Sequence, residues 1–212
     1  MAGKTVVSIG ILSFQGDYAR HDAMFRTIGA RTVAVRSVAD IASLDGLVIP
    51  GGESTTIGML IERFGLLEPI RAAEFPIFGT CAGAILCARR IRESEQLTLG
   101  LIDVTIERNA YGRQVDSFEA DIVSGELGSP AVRGVFIRAP IIRATGPDVE
   151  VLAHHEDHPV LVRSSRCLCA TFHPELTDDT RVHELFLSMV TQRRACYTNA
   201  SVGASSSEST IQ

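Results

Sequence analysis

Four short apolar runs mark the first half of the chain, and three of them stop at a turn and give way to a segment of helical periodicity. This alternation restricts the fold more than any other feature of the sequence. The runs are TVVSIGIL (5–12), RTVAV (31–35), DGLVIPGG (45–52) and FPIFGT (75–80), all read as strands, the first a continuous apolar run of the kind buried on both faces. Residues 17–29 read as a helix with Tyr18, Phe25 and Ile28 on one face and Gly29 as its stop. STTIGMLIERFG (54–65) reads as a helix capped by Ser54 or Thr55, and AGAILCARRI (82–91) as another. Strand and helix alternating at this spacing predict parallel βαβ units with right-handed crossovers.

The second half changes character. LGLIDVTIER, SFEADIV, VRGVFIRAP, VEVLAHH, HPVLVRS and CLCATF are short strand-like runs, expected to be partly antiparallel. The last helix, 178–193, carries Val182, Leu185, Phe186, Met189 and Val190 on one stripe, with Asp178 and Asp179 at its positive end. The expected fold is α/β: a three-layer sandwich whose mostly parallel central sheet is flanked by helices. Residues 1–194 form one domain in this reading, and the serine-rich 195–212 a tail without structure.

At 212 residues the chain has the size of one domain, and 45% hydrophobic content is ample for its core. A net charge of -5 offers no electrostatic case for nucleic acid or an anionic membrane. No apolar run is long enough to span a bilayer. MAGKTVVSIGIL lacks a small-residue cleavage site, so a first buried strand is the better reading than a signal peptide. The five cysteines are odd in number, with none spaced CxxC, which points to a reduced, cytoplasmic protein. Cys167 and Cys169 share a face of one expected strand and read as packing. A metal site would need further ligands that the sequence does not assemble, and no cofactor is expected.

Chemistry concentrates at three places. In FGTCAGAIL (78–86), Cys81 follows an apolar strand and precedes a helix, between Gly79 and Gly83. Gly-x-Cys-x-Gly in that setting has the form of a nucleophile elbow, in which the glycines let strand and helix approach while the middle residue protrudes. The competing reading is a buried structural cysteine in a tight turn. In CATFHPEL (169–176), Pro174 biases His173 away from the helical region. If the segment is extended, His173 and Glu175 stand on one side, and the carboxylate fixes the tautomer of an imidazole whose other nitrogen meets a thiol. The plainer alternative is a segment that only precedes the last helix. In PGGESTT (50–56), two glycines after a strand turn backbone N–H groups toward a bound group, as in an oxyanion hole. A phosphate loop is the rival there, although GxxxxGK[ST] is absent. AHHEDHP (153–159) reads as a polar hairpin turn rather than a metal site. His21 and His183 fall on expected helices and carry no further reading.

PGGEST, GTCAG and FHPE, in that order, resemble the class I glutamine amidotransferases. With SFQGD, RNAYGRQVDSFEAD, GVFIRAP and TFHPELTDD they resemble more narrowly the family of glutaminase subunits of pyridoxal 5′-phosphate synthase, over residues from about 5 to 193. The resemblance implies a flavodoxin-like amidotransferase fold and hydrolysis of L-glutamine through a cysteine thioester. It implies Cys81 as nucleophile, His173 as general base and acid, and Glu175 as the orienting carboxylate. The implied oxyanion hole is the backbone N–H groups of Gly52 and Ala82. Glutamine binding is implied for Gly52, Glu53, Ser54, Arg108, Ile137 and Arg138, and contact with the partner for Gln15. The partner implied is a synthase subunit, a (β/α)₈ barrel that receives the ammonia. Three departures stand out: LSFQGD where the family has a small aliphatic residue before the glutamine, AHHEDHPVLVRSS in place of a shorter glycine-containing turn, and the serine-rich tail. The alternatives are a stand-alone cysteine hydrolase of γ-glutamyl or ester bonds and a non-catalytic amidotransferase-like scaffold.

Overall fold

The structure, a computed structural model, describes residues 6–108, 110 and 117–204, with the side chains of 197–204 outside that description. In chain order the first half runs β1 (Ser8–Leu12), α1 (Tyr18–Thr27), β2 (Arg31–Val35), α2 (Val38–Ile41), β3 (Gly46–Ile49), α3 (Ser54–Arg63), α4 (Leu67–Ala72), β4 (Ile77–Thr80) and α5 (Ala82–Cys87). The second half adds β5 (Ala88–Ile91), β6 (Ile102–Glu107), β7 (Ser117–Ser124), β8 (Gly128–Ile137), β9 (Ile141–Thr145), β10 (Glu150–His155), β11 (His158–Arg163) and β12 (Cys167–Ala170). A 3₁₀ turn, Pro174–Leu176, and α6 (Arg181–Ala204) complete it.

The main sheet has seven strands in the order β10-β11-β12-β4-β3-β1-β2. β12, β4, β3, β1 and β2 are mutually parallel, and β10 and β11 continue the sheet antiparallel. Side chains alternate between the two faces with the period of a strand. Leu47, Ile49, Ile77, Cys167 and Cys169 join the core under α3, α4 and α5. Ile9, Ile11, Val48, Phe78, Leu168 and Ala170 join the core with Phe25 of α1 and Val182, Phe186 and Val190 of α6. These are the three layers expected. Smaller pieces attach to this frame: β5-β6-β9 as a second sheet, and the β7-β8 hairpin.

The structure corrects the sequence reading in several places. Residues 82–91 are not one helix: α5 stops at Cys87, and Ala88–Ile91 pairs parallel with β6. Ala88 and Ile91 are buried and Arg89 and Arg90 exposed, so sheet pairing overrides the good helix propensity of Ala-Arg-Arg. β9, just after Pro140, had no counterpart among the expected strands. The last helix runs past Arg194 to Ala204. The segment 195–204 simply extends an existing helix, where each further residue adds a bond without a new nucleus. Of the expected tail, 205–212 lies outside the described residues. The 153–159 hairpin is as expected: His155 pairs His158 around Glu156 and Asp157.

Cys167 and Cys169 are buried, their sulfurs 3.7 Å apart, and the fold adds Cys87, with all three sulfurs within 4.8 Å of one another. They lie in the apolar cluster beneath α5, with no exposed surface. Hydrogen bonding to Cys167 and Cys169, together with burial, pushes the Cys87 thiol well up. Buried among apolar side chains, the three fill this layer as small residues.

Candidate active site

Cys81 is the single residue between β4 and α5. Its φ of 48° and ψ of -103° lie in a region non-glycine residues seldom occupy. Neighbouring backbone holds it there: its N–H donates to the Ala170 carbonyl at 2.9 Å, and its carbonyl accepts from Ile85 N–H at 3.2 Å. The crossing is tight enough that a Cβ on Gly83 would collide with the Ile49 carbonyl. The elbow form and its glycines are therefore as the sequence reading has them. Cys81 is 7% exposed and its sulfur lies 3.8 Å from the Ile137 carbonyl oxygen.

His173 follows β12, the strand next to β4. Its N–H donates to Val135 of β8 at 2.8 Å. Nδ1 is 2.7 Å from Glu175 Oε1, which leaves Nε2 for Cys81, a residue bordering the same cleft. The pair forms, but not on extended backbone: Glu175 sits in the 3₁₀ turn Pro174–Leu176. His173 keeps a non-helical ψ of 87°, as a residue before proline should, and the turn then folds the carboxylate back onto the ring. Burial alone would push the imidazole down, but hydrogen bonds to Cys81 and Glu175 reverse this and raise it to about 10. Burial likewise works against the Glu175 anion, and His21 and His173 outweigh it, holding the carboxyl below its usual range.

Gly51 and Gly52 follow β3, the other neighbour of β4. Gly51 lies flat against the His173 ring, where any Cβ would run into Cε1. The helix that follows is capped by Glu53, not by Ser54 or Thr55. Its carboxylate accepts from Thr55 N–H at 3.3 Å and Thr56 N–H at 2.7 Å, because a glutamate at the cap position reaches both orphan donors. Arg108 extends from the end of β6 to Glu53 at 3.2 Å, to Thr55 at 3.3 Å and to Gln96. Burial pushes the Glu53 carboxyl up, but the Thr55 and Thr56 donors and Arg108 hold it below its usual range.

Cys81, His173, Gly52, Glu53, Ser54, Ala82, Arg108, Ile137, Arg138 and Gln15 all border one cleft of about 450 Å³. Glu175 stands behind His173. Arg138 borders the cleft with a positive φ of 42° just beyond β8. Sequence reasoning missed Gly51, Gln96 and His21. The Gly-Gly doublet was a signal for the first. Nothing local marks Gln96, or marks His21 as a residue whose ring reaches Glu175. Of the RNAYGRQVDSFEAD motif, residues 109 and 111–116 lie outside the described residues.

The class follows from the sheet that presents these groups. A crystal structure of a glutamine amidotransferase superposes with a TM-score of 0.82 at 44% sequence identity, over 86% of this chain and 98% of that one. Within that class the model of the SNO glutamine amidotransferase family matches residues 11–192, and the chain belongs to this family. The pyridoxal 5′-phosphate synthase subunit PdxT of Desulforudis audaxviator (strain MP104C) is 50% identical over 188 residues, 87% of this chain and 100% of that one. The PdxT of Brevibacillus brevis (strain 47 / JCM 6285 / NBRC 100599) is 50% identical over 194 residues, 89% and 100% of the two chains.

Proposed function

We propose that this chain is the glutaminase subunit of a cytoplasmic pyridoxal 5′-phosphate synthase, hydrolysing L-glutamine to L-glutamate and ammonia for a synthase partner. The observation that carries the reading is the convergence of an elbow thiol with a histidine whose far nitrogen is 2.7 Å from a buried carboxylate. Half-identity to PdxT chains over their whole length supports the assignment to this synthase.

In this mechanism the Cys81 thiolate adds to the side-chain amide carbon of glutamine. The oxyanion that forms is met by the N–H groups of Gly52 and Ala82; the latter belongs to the first turn of α5, where backbone donors lack intrahelical acceptors. His173 Nε2–H gives its proton to the amide nitrogen, ammonia departs, and a γ-glutamyl thioester remains on Cys81. Water then loses a proton to Nε2 as its oxygen adds to the thioester carbon, and glutamate leaves as the thiolate re-forms. Throughout, Glu175 holds Nδ1–H and so keeps the working nitrogen toward the sulfur.

Glu53 suits the α-ammonium of glutamine, and the Arg108 and Arg138 guanidinium groups its α-carboxylate, with Ser54 and the Ile137 backbone at the same wall. The partner, a (β/α)₈ barrel in this reading, docks over Gln15 and takes the ammonia before it escapes to solvent. Five free cysteines fit a reducing compartment. The test is glutamate release with and without the synthase subunit, for native protein and Cys81→Ala. The variant is expected to lose turnover by at least about 10³-fold, and the synthase to raise native turnover. Native turnover in the variant would overturn the mechanism, and full turnover without partner would favour a stand-alone hydrolase.

A further inference from the structure

Glu175 has two carboxylate oxygens and the triad uses one. Oε1 meets His173, whereas Oε2 is buried with no other hydrogen-bond partner among the described residues. The N–H-bearing group that approaches it is His21 of α1, with Nε2 at 3.4 Å and both side chains wholly buried. Thr80 Oγ1 lies 3.3 Å from the same nitrogen. On its other side, His21 Nδ1 is 3.0 Å from Nε2 of His183 on α6. His183 Nδ1 is buried and unpartnered among the described residues.

Proton positions follow from this arrangement. Burial pushes both rings down, His183 to about 3, so each is neutral and carries one N–H. Suppose His21 donated from Nδ1 to His183. Then His183 would have to carry its own proton on Nδ1, an orphaned buried donor, and His21 would turn a bare nitrogen lone pair toward a carboxylate. The opposite order has neither fault. His183 Nε2–H donates to His21 Nδ1, and His21 Nε2–H faces Glu175 Oε2 with Thr80 beside it. Only an acceptor position on His183 is left bare.

We infer that His21 is a positioning residue for the glutaminase, the middle of a directed chain of donors from His183 through His21 to Glu175 that aims the carboxylate at His173. This rests on the catalytic reading of Glu175 given above. The chain joins helices on one face of the sheet to a triad at its edge.

Two measurements test it. Two-bond ¹⁵N–¹H spectra of histidine-labelled native protein report each tautomer directly. His21 and His183 are both expected protonated at Nε2; a His21 protonated at Nδ1 overturns the proposal whether or not any variant folds. Steady-state glutaminase assays with the synthase subunit then compare His21→Leu with His21→Gln, whose amide nitrogen can stand where Nε2 stood. The leucine variant is expected to lose on the order of 10- to 100-fold in kcat at little-changed KM, and the glutamine variant to recover most of that loss. Leucine at native turnover, or glutamine no better than leucine, defeats the idea. Glu175→Gln separates the layers: if it keeps native turnover, the catalytic reading of Glu175 has failed. If it is impaired, His21→Leu added to it should cost little more.

Discussion

Cys81, His173 and Glu175 show how much rests on backbone held away from its commonest states. Cys81 sits at a φ of 48° because β4 must turn into α5 within one residue, and His173 takes its ψ of 87° because proline follows. The electrostatics then follow from contact distances. With its ring raised to about 10, above the ordinary 6.5, His173 stays an imidazolium through neutral pH, and in the proposed mechanism it is lost as the acid for departing ammonia only as pH climbs through about 10. The stabilisation from this pairing has the same sign: whole below about 6.5, gone above about 10. Glu175→Gln removes one of the groups that raise the ring. The alkaline limb of kcat/KM, measured with the synthase present, should therefore move to lower pH by about one unit or more. A limb that stays in place would deny Glu175 its electrostatic part. The elbow and the His-x-Glu pair were legible in sequence because each is a local pattern with a local cause. His21 was not: its partner His183 lies 162 positions away, and no neighbour in the chain hints at it.

Among the elements, α1 and α6 carry more than their packing. Both cover the same face of the sheet, and His183 is enclosed there by Phe25, with ring centroids 5.0 Å apart edge to face, and by Phe78 at 5.9 Å. A neutral histidine in such a place makes stability depend on pH. Desolvation depresses His183 to about 3, so between about 3 and 6.5 the unfolded chain binds a proton that the folded one does not. Stability is complete above about 6.5 and falls as pH drops, by about 1.4 kcal/mol per unit for one group. Urea-unfolding free energies measured from pH 4.5 to 6.5 should show a slope for native protein steeper by about one proton than for His183→Leu. Equal slopes would mean that the ring titrates normally in the folded state. Sequence periodicity identified both helices and the apolar stripe of α6; on α1 it put Tyr18, which is exposed, on the apolar face, where the buried residues are His21 and Phe25. It did not see the strand in Ala88–Ile91, because two exposed arginines flanked by apolar residues fit either period over so short a run.

Across the whole molecule, the order β12-β4-β3-β1 places four parallel strands side by side. Their carboxyl ends lead, in that order, to His173, Cys81, the Gly51–Gly52 turn and the loop holding Gln15. Sites in open α/β sheets gather at that edge, so the strand pattern alone points to the cleft. The arrangement also stacks its parts. Gly16, beside Gln15, packs on the Gly51 peptide, and Gly51 packs on the His173 ring. In the proposed complex, a partner pressing on the Gln15 loop is thus two contacts from His173. Gln15 is itself exposed, so its truncation should leave the stability of the isolated chain within about 0.5 kcal/mol. As an interface residue it should cost about 1 kcal/mol of docking, a shift of about fivefold in the synthase concentration that half-activates glutamate release. Titrating the synthase subunit against native protein and Gln15→Ala at saturating glutamine measures this shift. Superimposable curves would move the docking surface elsewhere on the molecule. A lower plateau at an unshifted midpoint would instead make Gln15 part of the catalytic cleft it borders.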